Sequence, residues 1–170
     1  MSQPVARLHL RAGAELIAEP FDGRSDAMLQ IIVEARCQGA LDGGLELVCE
    51  SGPLSHGHVW DRLDGLLLAW LGALDAIEAG ASEAIATFPD TRIECELSSL
   101  AGGRVQVAYE DIDAVVDAAV LREVLEAAVG RLLNAIGAGA DATADLVALS
   151  GRAGVNDGGG AQAQVLGGAT

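Results

Sequence analysis

The residues whose types and spacing could do chemistry gather near the middle of the chain. His56-x-His58 followed by Asp61 sets two imidazoles and a carboxylate close together, a pattern able to begin a zinc site. Such a site needs further ligands, and the one other histidine, His9, is distant in the chain. Ordinary polar residues at a Gly-flanked helix start account for the same pair, so neither a metal nor a cofactor is expected. Gly52-Pro53-Leu54-Ser55-His56-Gly57 follows a strand pattern and opens a helix pattern. That is the setting of a nucleophile elbow, but the spacing is not G-x-S-x-G. Ser55 as a helix cap explains the residue without catalysis. Cys37, Cys49 and Cys95 are odd in number and form no C-x-x-C pair, and they share the parity of neighbouring Leu and Ile. They read as small buried hydrophobes, reduced in a cytoplasm. Gly158-Gly159-Gly160 precedes no helix pattern and lacks the lysine of a phosphate loop. Asp157-Gly158 lacks the alternating acidic ligands of a calcium loop.

Charge carries more information than any motif. The 170 residues hold 25 acidic side chains against 10 basic ones, a net charge of -15. Every basic residue is arginine and lysine is absent. A polyanionic nucleic acid or an anionic membrane is therefore a poor direct partner, and a basic protein a good one. No window of about 18 uncharged apolar residues exists, so no membrane span is expected. The N-terminus shows neither the charged nor the apolar region of a signal peptide, and a cytoplasmic location follows.

The chemistry-bearing residues need elements to position them. Hydrophobic residues make up 51% of the chain and aromatics 3%, which predicts one domain with an aliphatic core over residues 1–136. Strands are expected over 5–11 and 14–19. Met28 to Cys37 alternates, with Leu29, Ile31, Val33, Ala35 and Cys37 on one side, and is read as a third strand. Pairing it through Asp42-Gly43-Gly44 with Leu45, Leu47 and Cys49 places Cys37 opposite Cys49. Ser55 is expected to cap a helix to about Ala79. Three further strands follow over 83–88, 91–98 and 105–109, then a helix over 113–136. The sum is an α+β fold in the order ββββαβββα: a two-layer, curved antiparallel sheet of six to seven strands, with two helices on one face. The other sheet face would carry Glu34, Arg36, Glu46, Glu94, Glu96 and Gln106. The candidate partner-binding residues are Glu94, Glu96, Glu110, Asp111 and Asp113. Residues 137–170, rich in Gly and Ala, are expected to be a flexible tail.

A Trp-containing helix running from Val59-Trp60-Asp61-Arg62-Leu63 through Trp70-Leu71, a Glu-rich hairpin ending Gly-Gly-Arg-Val-Gln-Val and a long C-terminal helix together resemble small bacterial proteins found beside polymorphic toxins. The nearest are the WapI-type immunity proteins, and the resemblance covers roughly residues 28 to 136. It is a pattern of elements, so no functional residue is transferred. It implies a non-enzymatic protein that binds and blocks one toxin, and the acidity suits a basic toxin domain; the sequence does not choose between monomer and homodimer. Small, acidic, dimeric secretion chaperones are the second resemblance, although they begin with a helix. An enzyme reading would be a small hydrolase or metal-dependent enzyme using His56, His58 or Ser55. It predicts a concave pocket at the start of the first helix. An immunity protein predicts a continuous acidic patch, and a chaperone an exposed apolar stripe.

Overall fold

A computed structural model describes residues 4–12, 15–21, 25–39, 41–49, 52–55, 60–137 and 148–149. The elements are β1 (Val5–Ala12), β2 (Glu15–Ala18), α1 (Asp26–Gln38), β3 (Asp42–Cys49), β4 (Gly52–Ser55), β5 (Asp61–Arg62), α2 (Leu63–Glu78), β6 (Glu83–Thr87), β7 (Glu94–Leu100), β8 (Arg104–Tyr109), β9 (Ile112–Asp117) and α3 (Ala118–Ile136). The architecture is α+β, as the patterning implies. The strands divide into two antiparallel sheets, one ordered β2-β1-β3-β4 with β5 also on β3, the other β6-β7-β8-β9. The division falls where α2 interrupts the chain, and β4 lies beside β9 where the sheets meet.

Three helices form among the described residues, one more than the patterning predicts. Residues 28–37 are helical, not a strand. Ser25 accepts a hydrogen bond from Met28 N–H at 3.2 Å and caps the first turn. Gly39, at φ 71, closes the last turn in a left-handed conformation that costs a glycine little. Met28, Ile31 and Ala35 are the buried residues of this helix, a helical spacing, whereas Leu29, Val33 and Cys37 are exposed. The predicted pairing of Cys37 with Cys49 is overturned with the strand: Cys49 ends β3 and faces Gly52. Glu34 and Arg36 consequently belong to α1 and to no sheet face.

In both sheets the apolar residues meet in register on the inner face. Leu8 opposes Leu45 and Ala6 opposes Leu47 in the first sheet. In the second, Leu97 opposes Val107, Val107 opposes Ala114 and Tyr109 opposes Ile112. Helices α2 and α3 pack on these faces and on each other. Gly43 lets the start of α2 approach β3 closely, because a Cβ there would collide with the His9 carbonyl and lie 3.2 Å from Leu63 Cβ. Between α2 and α3, the Arg122 guanidinium reaches Asp75 at 2.8 Å and Glu78 at 2.7 Å. Arg131 ties α3 to the chain after β2 through Glu19 at 2.7 Å, and to β1 through the Ala6 carbonyl at 2.9 Å.

Two other boundaries differ from the expected ones. The helix predicted from Ser55 begins at Leu63, and Ser55 closes β4. The helix predicted from Asp113 begins at Ala118, because Ile112–Asp117 alternates buried and exposed as an edge strand on β8. Beyond α3, Leu149 is fully buried in the core; apart from residues 148–149, the tail expected over 138–170 lies outside the described residues. No helix among the described residues is long and apolar enough to cross a membrane.

Candidate functional site

Strand alternation sends every second residue of β6–β9 to the outer face of their sheet. The registers align these residues in rows: Thr87 beside Glu94; Ile85, Glu96, Ala108, Asp113; Glu83, Ser98, Gln106, Val115; and Leu100, Arg104, Asp117. Five of them are acidic, namely Glu83, Glu94, Glu96, Asp113 and Asp117, and all five are exposed. One is basic, Arg104, whose Nε–H donates to the Ala101 carbonyl at 3.5 Å. Asp117 caps α3, accepting from Ala119 N–H at 3.0 Å and Val120 N–H at 3.1 Å. Asp113 accepts from Gln106 Nε2 at 2.7 Å. Glu83, Glu94 and Glu96 make no such bond among the described residues. Glu110 and Asp111 extend the acidic surface as the tight turn between β8 and β9, with Glu110 at φ 49.

Glu94 and Glu96 are next-but-one neighbours on the same face, roughly 7 Å apart along the strand. Two carboxylates at that distance in water repel by about 0.6 kcal/mol. The cost is small, persistent and removed by any cation held over the strand. The face therefore favours a positively charged occupant without needing one for folding. The sequence-predicted residues Glu94, Glu96 and Asp113 come together here with Glu110 and Asp111 at one end. Sequence reasoning missed Glu83 and Asp117. The signal for Asp117 was a capping residue before an apolar helical run. Glu46 belongs elsewhere, on the first sheet, where it lies 3.6 Å from Arg7 and 3.7 Å from His9.

The residues considered for catalysis are arranged differently. His56 and His58 lie outside the described residues. Asp61 is 3% exposed, and both of its oxygens are occupied. Oδ1 accepts from Arg62 N–H at 2.6 Å and Asp90 N–H at 3.0 Å; Oδ2 accepts from Thr91 N–H at 3.0 Å and Thr91 Oγ1 at 2.8 Å. This carboxylate holds the turn between β6 and β7 against β5. A polar cavity of about 420 Å³ opens nearby, lined by Gln38, Gly39, Asp42, Arg62 and Asp90. Burial pushes the Asp42 carboxyl up; Arg11 opposes the shift, and Asp90, Asp61 and Glu34 add to it. No serine, cysteine or histidine is among the described residues of that lining. Among the described residues no group of three His, Cys, Asp or Glu could hold a metal ion. Burial likewise pushes the Cys95 thiol up to about 12, with Glu96 adding to the shift, which makes it a poor nucleophile.

Compared with protein-family models, with curated proteins and with solved structures, the chain matches none.

Proposed function

We propose that this chain is a non-enzymatic, stoichiometric protein-binding module of the cytoplasm, an immunity-type inhibitor that engages a basic toxin domain through the outer face of β6–β9. One observation carries the reading: five register-aligned carboxylates against one arginine on a single open sheet face. Charge complementarity of this kind raises association rate and partner selectivity more than it raises final affinity. The test uses the full chain as bait in its native host, followed by reconstitution of the captured protein as a purified complex. Replacing Glu94→Gln and Glu96→Gln together should slow association and flatten its salt dependence, leaving thermal stability within about 0.5 kcal/mol of the parent because exposed charges stabilise little. Unchanged association at every salt concentration removes the acidic face from the mechanism.

A second reading, an effector chaperone, is favoured by the outer side of α1. Leu29 is 51% and Val33 57% exposed, one turn apart on the same helix face, an unusual pair to leave in water. Cys37 continues the stripe. A homodimer buried over this stripe, dissociated by Val33→Asp while the Glu94→Gln and Glu96→Gln changes leave partner binding intact, would select this reading over the first.

A further inference from the structure

The outer face of β6–β9 is too small to form an interface alone. Four strands spaced about 4.8 Å apart and about 20 Å long give roughly 400 Å². A stable complex takes about 800 Å² from each partner. The missing area must adjoin the acidic face, and the edge of the sheet at β6 does so.

The hydrogen-bond parity of that edge is fixed at both ends. Phe88 N–H donates to the Ile93 carbonyl at 2.8 Å, and Ser99 N–H to the Ser82 carbonyl at 2.8 Å. Even-numbered residues of β6 therefore bond to β7, and the N–H and C=O groups of Glu83, Ile85 and Thr87 point away from it. Among the described residues β7 is the only strand paired with β6. At the opposite edge β9 lies beside β4, whereas β6 has helix α2 packed against it and no second strand beside it among the described residues. The side chains of the same three residues are exposed on the acidic face, Ile85 at 52%. An edge of this kind is a template for another strand.

We propose that the open edge of β6 takes up an extended segment of a basic partner protein, added as a further strand of the sheet, with basic side chains over Glu83, Glu94 and Glu96 and an apolar one against Ile85. The proposal rests on the reading of the acidic face as the partner surface. Charge selects this occupant over a second copy of the chain. Two copies paired edge to edge would join two acidic faces into one surface, on proteins of charge -15 each, and like charges across a ladder destabilise it. A segment in which arginine and an aliphatic residue take turns at the outward positions, Arg-x-Val-x-Arg, meets the edge on both counts, because residues two apart share a face.

The test uses the full chain and a short synthetic peptide of the pattern Arg-x-Val-x-Arg with threonine at x, so that arginine and valine share one face, with a second peptide N-methylated at the residues whose amides would face β6. Binding of the first peptide should protect the Glu83, Ile85 and Thr87 amides from hydrogen exchange. N-methylation should weaken binding roughly tenfold or more, since each lost backbone bond forfeits a substantial part of that factor. Ile85→Pro should do the same, because its N–H serves no bond to β7 and an edge strand tolerates proline there. If that variant does not fold, the methylated peptide carries the comparison unaided. The proposal is overturned if the peptide fails to bind, if methylation leaves affinity unchanged, or if these amides are already protected in a dimer of the free protein. Salt-sensitive binding that ignores methylation would leave the acidic face standing without the edge. Amide protection that survives Glu94→Gln and Glu96→Gln undiminished would leave the edge standing without the acidic face.

Discussion

Replacing Asp61 by Asn tests whether one buried carboxylate fastens the β6–β7 turn of the second sheet to β5 of the first. The exchange keeps the size of the side chain, removes its charge and converts one acceptor oxygen into an NH₂ donor. Asp61 now accepts from four donors, two on each oxygen. Asn has a single oxygen. Kept toward Arg62 and Asp90, it turns its NH₂ to Thr91, whose hydroxyl can rotate and accept while the Thr91 N–H is left facing a donor. An unsatisfied buried donor costs about 1–3 kcal/mol. Asp90 and Thr91 are themselves exposed, so water can reach part of the turn and the low end of that range applies, about 1–2 kcal/mol. With a urea dependence of about 2 kcal/mol per molar, the unfolding midpoint should fall by roughly 0.5–1 M. Trp70, 0% exposed in α2, reports the transition by fluorescence. Thr91→Ala removes one donor and its acceptor contact together. It should cost about 1 kcal/mol in the parent but less in the Asp61→Asn background, a coupling measured by a double-mutant cycle. A midpoint shift below roughly 0.3 M for Asp61→Asn, or strictly additive effects, would mean that the turn is held by other contacts and that the bracket assigned to Asp61 is wrong.

Other perturbations follow from packing and titration. Leu149→Ala, or truncation after Gly137, should lower stability by about 2–4 kcal/mol and the melting temperature by roughly 5–12 °C, because a fully buried leucine is lost; an unchanged melting curve would remove Leu149 from the core. Cys37, exposed, should react with Ellman's reagent in the native state, and Cys95, buried, only on unfolding. The Cys95 thiol is raised from its ordinary value near 9 to about 12. The folded state thus holds its proton more tightly, and that contribution to stability is intact below pH 9 and lost as pH rises toward 12; Cys95→Ala should flatten that decline in alkaline denaturation curves. Asp117→Ala should cost about 1 kcal/mol by uncapping α3, read from thermal unfolding.

The hairpins of the second sheet were legible because each strand is apolar on one side only. Cys95, Leu97, Val105, Val107 and Tyr109 are buried and alternate with Glu94, Glu96 and Gln106, so period and exposed face came out together. The segment at 26–38 failed for the converse reason: it carries two periods at once. Leu29, Ile31, Val33, Ala35 and Cys37 satisfy a period of two, and Met28, Ile31 and Ala35 satisfy a helix. Packing on β1 selects the helical set and leaves Leu29 and Val33 outside. Ser25 and Gly39, the two caps, were the deciding signals and outweigh alternation. In β9, the six-residue alternation of Ile112, Ala114 and Val116 runs directly into α3, and a helical pattern absorbs it unless Asp117 is recognised as the cap. The role of Asp61 was invisible, because its donors come from Asp90 and Thr91, remote in the chain.

The distribution of arginine separates the acidic face from a merely acidic protein. A chain of net charge -15 kept soluble by a uniform surface would scatter its ten arginines among its carboxylates. Three of them are engaged elsewhere. Arg122 bridges α2 and α3, Arg131 binds Glu19, and Arg7 lies by Glu46 on the first sheet. Among the described residues, the strand rows of the outer face of β6–β9 hold one arginine, Arg104, at one end and turned to a backbone carbonyl, while Arg92 sits in the turn before Glu94. Glu83, Glu94 and Glu96 are thus left without a cation among the described residues, beside Ile85 and the open strand edge. Like charges kept together cost a little stability, and a basic partner laid over them recovers that cost along with the apolar contact at Ile85. The same three glutamates make pairing with a second copy unfavourable. On the proposed reading, surface and edge discriminate in the same direction, toward a basic chain of another protein and away from self-association.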